Sequence, residues 1–414
     1  MSKKIFHIIR GFNYGGINEF LYTFIKYSKS NTLLKHYVIA FKDGSFRSRF
    51  EELNCPIFFT EDRGVTDLVK RNGGDCVVTH IVNGSPSYLH QHVYDLFLSH
   101  IPVINYAHCS FPLRSPAWLF KQIITTSKSN VLILGLDKVI RIPIPIDIER
   151  YKVKSNILEI KKKWKVPLDR VILGRISRIE SLKMISETIM AYIELRRKTK
   201  IPIFLLLAGE EATYGLPKGV RIQEMKKLVS SLGLTDNDFL YVGPVSDEEK
   251  QEILSIIDIY SAPTSMEGYG IVFCEASLFG KPIVSYDNYA NKEVIAEGGI
   301  VVKDKDSNAL VEALKTLVED SELRRKIGKQ GELLVKRRNN PDSIVKQIED
   351  AIFNAISYND KSSFYQYRWE ARKIKIIMLS IKNFRYYKIK IEIKLYNLLS
   401  FLKSIIKTKI LDKT

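Results

Sequence analysis

Cysteine is scarce in this sequence of 414 residues, and its positions carry no pattern. Cys55, Cys76, Cys109 and Cys274 stand far apart, and they form neither a CxxC pair nor the spacing of a metal-binding set. This distribution excludes the disulfide framework of a small secreted domain and the ligand set of a structural zinc site. We therefore expect a protein of the reducing cytoplasm.

Long uncharged apolar runs are missing as well. No stretch of about 18 such residues occurs, so the sequence predicts no membrane-spanning helix. The apolar run from Ile5 to Ile9 follows Lys3 and Lys4 and is interrupted by His7, which makes it too short for the core of a signal peptide. We predict a first β-strand here.

Several motifs of hydrolytic and metal chemistry are also absent. There is no G-x-S-x-G nucleophile motif, no H-E-x-x-H pair and no EF-hand loop. The sequence therefore predicts neither a bound metal nor a cofactor.

The positive charge is concentrated in a tail, residues 358–414. From Lys361 to Thr414 the chain has 14 Lys and Arg against three acidic residues, a net +11 out of the total of +18. Aromatic residues are interleaved, and apolar residues recur at helical spacing, although Lys388 to Leu395 alternates with a period of two. Such a segment suits an anionic membrane surface, and it equally suits a helix packed on the chain or an oligomer contact. Without an RRM, KH, zinc or helix-turn-helix signature, we expect no nucleic-acid partner.

With 45% hydrophobic and 11% aromatic residues, the chain has enough apolar material for well-filled cores, and its length predicts two or three domains. Short apolar runs alternate with amphipathic stretches, such as Ile17 to Ser28 and Tyr88 to Leu98, as in stacked βα units. The predicted strands of the first half are Lys4–Ile9, Tyr37–Phe41, Pro56–Phe59, Cys76–Ile81 and Pro102–Tyr106. Those of the second half are Val171–Gly174, Ile203–Ala208, Phe239–Val242, Ile256–Ala262, Pro282–Ser285 and Gly299–Val302. The pattern predicts an α/β protein with two doubly wound, Rossmann-like domains.

The domain boundary is expected near Ile142 to Lys154, where two prolines favour extended backbone. We predict a first domain at 1–148, a second at 149–340, and a helix at 341–357 that packs back toward the first domain. Residues 358–414 form the tail.

The segment Pro263 to Val284, PTSMEGYGIVFCEASLFGKPIV, contains more residues that suggest ligand binding than any other segment of similar length. Glu267 and Glu275 bracket Gly268 and Gly270 where a strand gives way to a helix. The glycines allow the backbone close to a ligand, and the helix start presents free N–H groups and the positive end of its dipole. The two carboxylates would then flank a phosphate with acceptors for polyol hydroxyls, as a sugar nucleotide requires.

The string EGYGIVFCEA resembles the motif of the family 4 retaining glycosyltransferases of GT-B fold, in which two glutamates stand eight positions apart. The resemblance implies two Rossmann-like domains facing a cleft, with Glu267 contacting the donor sugar and Glu275 the ribose. Tyr269 and Ile271, between them, join the glycines as donor-binding residues. It also implies transfer without a bound metal, because helix ends and basic side chains neutralise the leaving diphosphate.

Ligands of open α/β sheets bind beyond the carboxyl ends of the strands, which directs attention to three further segments. The loop GRISRIESLK follows a predicted strand, and the resemblance gives its Arg175 and Lys183 the role of diphosphate clamp; Arg178 is a further donor-binding candidate. The glycine-rich turn with Gly15 and Gly16 matches the glycine loop of the family.

The seven histidines all lie within the first 108 residues. The resemblance places His108, after the fifth strand, near the donor sugar as a catalytic residue. His80, after the fourth strand, is a weaker candidate on the acceptor side. His90, His92 and His100 are interpreted as the polar face of a helix.

These features predict a retaining glycosyltransferase that moves a sugar from a nucleoside diphosphate donor, such as a UDP- or GDP-sugar, to a hydroxyl acceptor. The expected acceptor is a glycan or lipid-linked glycan of surface polysaccharide or glycolipid synthesis, at the inner face of the membrane. Two alternatives stay open. One is a GT-B-fold epimerase of sugar nucleotides, and the other is a non-catalytic nucleotide-binding scaffold.

Overall fold

The computed structural model describes residues 2–13, 15–80, 91–108, 117–134, 139–152, 156–212, 216–357, 368–369 and 371–373. Most of the predicted basic tail lies outside these residues, as do His90, Cys109 and the start of the predicted helix from Tyr88.

The first domain is built on a seven-stranded parallel sheet in the order β3-β2-β1-β4-β5-β6-β7. Its strands are β1 Lys3–Ile9, β2 Leu34–Ala40, β3 Ile57–Phe59, β4 Cys76–Thr79, β5 Val103–Ala107, β6 Gln122–Thr125 and β7 Val139–Arg141. The helices between them are α1 Gly16–Ser28, α2 Arg47–Glu52, α3 Val65–Arg71, α4 Gln91–Leu98 and α5 Lys128–Leu134. Helices on both faces bury the central strands, which explains why these strands appear in the sequence as continuous apolar runs.

The second domain is built on a six-stranded parallel sheet in the order β10-β9-β8-β11-β12-β13. Its strands are β8 Val171–Ile176, β9 Ile203–Ala208, β10 Phe239–Tyr241, β11 Ile259–Ser261, β12 Ile283–Asp287 and β13 Gly299–Lys303. Its helices are α6 Ile157–Lys163, α7 Ile185–Lys198, α8 Val220–Ser231, α9 Asp247–Ile256, α10 Ile271–Leu278, α11 Asn291–Ile295, α12 Ser307–Glu319 and α13 Ser321–Arg338. All six residues of β9 are buried, as expected for a central parallel strand.

A last helix, α14 Pro341–Ser357, returns to the first domain. It packs along α1, and its Glu349 accepts hydrogen bonds from Ser28 and from the side chain of Asn31. Beyond it, the described Ala371 is fully buried among core residues of the first domain. The chain thus crosses between the domains twice, once at 142–152 and once before α14.

The fold class expected from the sequence is confirmed, since both halves are parallel α/β sheets of the doubly wound kind. Three local predictions were wrong. The strand predicted from Ile256 is shorter, because Ile256 ends α9, whose start is fixed by a capping box between Ser246 and Glu249. Strands β6 and β7 were not predicted; β6 has only four residues, and β7 has three, two of which are exposed.

The third concerns His92, which was interpreted as part of a polar helix face. Its side chain is fully buried and hydrogen-bonded to Asp62. His100 is exposed, but it lies beyond the end of α4 with a φ of 59°. Among the described residues, no helix combines the length and apolar character that spanning a bilayer requires.

Candidate functional site

The loop between β11 and α10 carries the Glu267 motif, and its geometry depends on Gly270. This residue caps α10 with a φ of 83°, a left-handed conformation that favours glycine. A Cβ at this position would lie 2.5 Å from the ring of Phe273. The glycine therefore lets the chain turn sharply into α10 and places Glu267 just before the helix.

Glu267 meets Lys183 across the carboxyl edge of the second sheet. The Lys183 ammonium lies 2.5 Å from Oε2 of Glu267, and both side chains are only 15% exposed. The loops that carry them are joined by a hydrogen bond from the Ser265 N–H to the Leu182 carbonyl oxygen. The structure thus brings together two of the predicted site residues, in spite of the 84 positions between them.

Arg175 lies deeper, near the end of β8, and is 1% exposed. Its Nη1 donates to the hydroxyl of Thr188 at 2.7 Å and to the carbonyl oxygen of Pro263 at 3.0 Å. Burial lowers the pKa of its guanidinium to about 10, although nearby Glu267 acts in the opposite direction. Arg175 therefore supports the motif loop from below. Arg178 is half exposed and pairs with Glu180 at 3.0 Å.

Glu275, on α10, is held between a linker residue and a residue of α9. The Tyr151 hydroxyl donates to Oε1 of Glu275 at 2.6 Å, and the Lys250 ammonium donates to the same oxygen at 2.7 Å. Burial opposes the charge on Lys250, but Glu275 and Glu19 outweigh it and raise the pKa of Lys250. Burial and then Glu275 raise the pKa of Tyr151. The second carboxylate of the motif is thus the centre of a polar cluster with at least two donors.

The glycine loop of the first domain lies opposite the start of α10. A Cβ on Gly16 would come within 3.4 Å of Cδ1 of Ile271, so the beginning of α1 and the beginning of α10 almost touch. Gly15 precedes α1, and its carbonyl oxygen accepts from the N–H groups of Asn18 and Glu19. Both glycine-bearing loops therefore border the same interdomain cleft.

His108 follows β5 on the first-domain side of this region. Its ring stacks on Tyr106 with a centroid distance of 4.7 Å and meets the edge of Phe20. Nε2 of His108 is 2.8 Å from Nδ1 of His80, whereas its Nδ1 is buried without a hydrogen-bond partner among the described residues. Burial lowers the pKa of His108 to about 3. The imidazole is therefore neutral near pH 7.

Tyr269, one of the two aromatic residues of the motif, is hydrogen-bonded to Asn339. Its ring is buried, and its hydroxyl accepts from Nδ2 of Asn339 at 2.8 Å. The same Asn339 nitrogen donates to the carbonyl oxygen of Ile144, and the Ile146 N–H donates to the carbonyl oxygen of Asn339. Tyr269 therefore fastens the motif to both crossings between the domains.

Sequence reasoning missed Tyr151, Lys250 and Asn339. Tyr151 stands at the end of the linker string IPIPIDIERYK, where an aromatic residue among charged neighbours was a usable signal. Lys250 is one of many lysines on amphipathic helices, and Asn339 precedes a proline-started helix. Nothing in their local sequence distinguishes these two.

A cavity of about 670 Å³ lies beside the linker, lined among others by Lys26, Arg49, Asp147, Arg150 and Asp247. None of the predicted site residues lines it. Its walls include the cross-domain pair of Arg49 with Asp247 at 3.1 Å, and Arg150 also binds Glu19, on α1, at 2.8 Å. This cavity therefore lies beside the linker and is separate from the cleft that the glycine-bearing loops border. Within the described part of the chain, no group of three or more His, Cys, Asp or Glu is placed to hold a metal ion.

The family model that matches the chain covers most of the second domain. Residues 156–334 match the family model described as Glycosyl transferases group 1. The chain is 24% identical over 210 residues to N-acetyl-alpha-D-glucosaminyl L-malate synthase of Bacillus anthracis, covering 50% of this chain and 52% of that protein. It is 24% identical over 207 residues to the capsular polysaccharide biosynthesis glycosyltransferase CapM of Staphylococcus aureus, covering 49% and 51%. The matches thus span about half the length of these relatives.

The similarity in structure extends over both domains. The crystal structure of Anabaena Alr3699/HepE in complex with UDP and glucose superposes with a TM-score of 0.70 at 18% identity, covering 85% of this chain and 99% of that one. At this identity the likeness concerns the fold, which is the GT-B fold of two Rossmann-like domains. The segment that matches the glycosyl transferases group 1 family model, residues 156–334, lies in the second of these domains.

Proposed function

We propose that this protein is a retaining glycosyltransferase that moves a sugar from a nucleoside diphosphate sugar to a hydroxyl group of a glycan or a lipid-linked glycan. The observation that carries the proposal is the contact between Lys183 and Glu267 at the edge of the cleft. In this proposal the Lys183 ammonium is the cation for the diphosphate and the Glu267 carboxylate accepts from sugar hydroxyls. Both residues lie in the segment that matches the glycosyl transferases group 1 family model, which supports the proposal.

The donor is bound in three parts. The diphosphate lies against the Lys183 ammonium and the N-terminal turn of α10, where free N–H groups and the helix dipole favour negative charge. Arg175 adds a buried positive charge beneath the loop. The ribose hydroxyls bind at Glu275, in the cluster with Tyr151 and Lys250, and Glu267 accepts from hydroxyls of the sugar.

Departure of the nucleoside diphosphate is the step at which charge develops. As the bond between the sugar and the phosphate oxygen breaks, negative charge grows on the diphosphate, and Lys183 stabilises it more strongly than in the ground state. The acceptor hydroxyl attacks from the face that the leaving diphosphate vacates, and its proton passes to the departing phosphate oxygen, so the configuration at the anomeric carbon is retained. The basic residues supply the charge stabilisation, so the proposal needs neither a metal nor a cofactor.

Surface polysaccharide or glycolipid synthesis is the proposed setting. A relative named for capsular polysaccharide biosynthesis supports this setting. The likeness in fold to a protein crystallised with UDP and glucose supports the nucleotide-sugar donor. Another relative is named N-acetyl-alpha-D-glucosaminyl L-malate synthase, so the names of the relatives do not point to one common acceptor, and a hydroxyl group is the acceptor chemistry that we propose.

A donor screen tests the function. We expect one or two nucleoside diphosphate sugars to raise the melting temperature, because a ligand that binds only the native state stabilises it by mass action. With that donor and a glycan acceptor, NMR of the product should show the anomeric configuration of the donor, and EDTA should leave the rate unchanged. An inverted product would contradict retention. Conversion of the donor to its epimer without an acceptor would indicate the epimerase, and binding without turnover would indicate the scaffold.

We also propose that the basic tail attaches the enzyme to an anionic membrane surface. Because Ala371 is buried in the first domain, a chain cut after Lys373 should keep its melting temperature and donor affinity. It should lose sedimentation with anionic vesicles and efficient use of a lipid-linked acceptor. Salt should have the same effect on the full chain, since attraction between exposed charges decays over about 8 Å at physiological ionic strength. Equal sedimentation of the full chain and of the chain cut after Lys373 would refute the membrane role.

A further inference from the structure

Four histidines of the first domain form a continuous hydrogen-bonded row across its sheet. His36 lies on β2 and His7 on β1, while His80 follows β4 and His108 follows β5. These four strands are consecutive neighbours in the sheet. The nitrogen-to-nitrogen distances along the row are 2.9 Å from His36 to His7, 3.3 Å from His7 to His80 and 2.8 Å from His80 to His108. The row therefore links the far side of the domain to the predicted catalytic residue.

At its far end the row is closed by a serine and a carboxylate. Ser28, at the end of α1, lies 2.8 Å from Nε2 of His36, and its hydroxyl donates to Oε1 of Glu349 at 2.5 Å. The other carboxylate oxygen accepts from Nδ2 of Asn31 at 2.9 Å. The orientation of that amide is fixed, because its oxygen accepts from the N–H of Leu33 at 3.0 Å.

These contacts give every hydrogen bond of the row one direction. Burial lowers the pKa of all four imidazoles, that of His36 to about 4, so each ring is neutral and has one donor and one acceptor. A carboxylate has acceptors only, so Ser28 must donate to Glu349 and must accept from Nε2 of His36. Each following imidazole then donates through Nε2 to Nδ1 of its neighbour. At the cleft end, Nδ1 of His108 is left with a lone pair.

We propose that Glu349 sets the tautomer of His108 through this row, so that Nδ1 of His108 accepts a hydrogen bond from a hydroxyl group of the substrate. Nδ1 is buried and has no partner among the described residues, which is the state expected of an acceptor awaiting a ligand. His7, His36, His80, Ser28 and Glu349 are positioning residues, and only His108 touches the substrate. The substrate contact rests on the proposed glycosyltransferase function, whereas the direction of the row does not.

Glu349→Gln is the variant that separates this arrangement from simple packing. The oxygen of the new amide must stay on the Asn31 donor, so its NH₂ group turns toward Ser28. Ser28 then donates to His36, every bond of the row reverses, and His108 carries its proton on Nδ1. Asp350→Asn is the matched control, because it removes the same charge from an adjacent, exposed position of the same helix.

The tautomers are measured by ¹⁵N NMR of histidine-labelled full-length protein, with His108→Ala to assign the signals. We expect an unprotonated Nδ1 in the wild type and in Asp350→Asn, and a protonated one in Glu349→Gln. A protonated Nδ1 in the wild type would overturn the proposal without any variant, and so would an unchanged tautomer in a folded Glu349→Gln protein.

Kinetics with the donor found in the screen test the substrate contact. Glu349→Gln should lower kcat by about 10-fold to 100-fold, because a protonated Nδ1 of His108 no longer accepts the hydrogen bond of the substrate hydroxyl. Asp350→Asn should keep the wild-type kcat. A wild-type kcat in a Glu349→Gln protein with reversed tautomers would overturn the substrate contact. If the wild type transfers no sugar from any donor, the proposed function fails, and the NMR result still decides the direction of the row.

Discussion

Lys183→Ala should lower turnover by about 100-fold to 1,000-fold, the range observed when one preorganised donor to a developing negative charge is removed. Donor affinity should fall much less, because the diphosphate gains most of its negative charge only in the transition state. The measurements are kcat from initial rates and the donor Kd from calorimetry. Near-normal turnover would mean that the diphosphate is neutralised elsewhere.

Two further variants show why turnover falls. Lys198→Ala removes a lysine of the same domain that pairs with Glu312 at 2.7 Å on the surface, and it should leave turnover unchanged. The double variant Lys183→Ala/Glu267→Gln removes both members of the pair. If Lys183 acted only by neutralising Glu267, the double variant would be more active than Lys183→Ala. We expect no such recovery, because Lys183 acts on the diphosphate.

Glu275→Ala should weaken both donor binding and the fold. Loss of a charged hydrogen bond to the ribose should reduce donor affinity by about 1 to 3 kcal/mol. The variant also leaves the Lys250 ammonium, whose side chain is 15% exposed, without its nearest partner. Breaking such a largely buried pair should lower the free energy of unfolding by about 2 to 4 kcal/mol. Calorimetry and denaturant unfolding measure the two effects separately.

Glu332→Ala is the control for stability, because Glu332 pairs with Lys329 and Lys336, whose side chains are 62% and 47% exposed and keep their hydration when the carboxylate is removed. We expect a loss of at most about 1 kcal/mol and an unchanged donor affinity. Glu275→Gln keeps an acceptor for Tyr151 and should fall between the wild type and Glu275→Ala in stability. Wild-type donor affinity in Glu275→Ala would remove this residue from the binding site.

Local sequence was sufficient for most strands of both sheets. β9 is buried throughout and its apolar run is continuous, while β1 is buried from Ile5 to Ile9 with His7 as the one polar residue, so hydrophobicity was enough to locate both strands. β7 shows the limit of hydrophobicity as a signal, because two of its three residues are exposed. What makes it a strand is its pairing with β6. The end of α9 at Ile256 shows another limit, since an apolar residue at a helix end resembles the start of a strand.

The sequence by itself determined the two-domain α/β class and the motif from Glu267 to Glu275, because both depend on patterns within a few tens of residues. Only the tertiary structure decided which side chains meet. Lys183 reaches Glu267 because β8 and β11 are neighbours in one parallel sheet, so the loops after them share an edge. Four scattered histidines form one row because β2, β1, β4 and β5 lie side by side, an order that local propensity does not encode. Which side chains meet over such long sequence separations follows from the order of the strands and from the packing of α14 on the first domain. Both are properties of the folded chain.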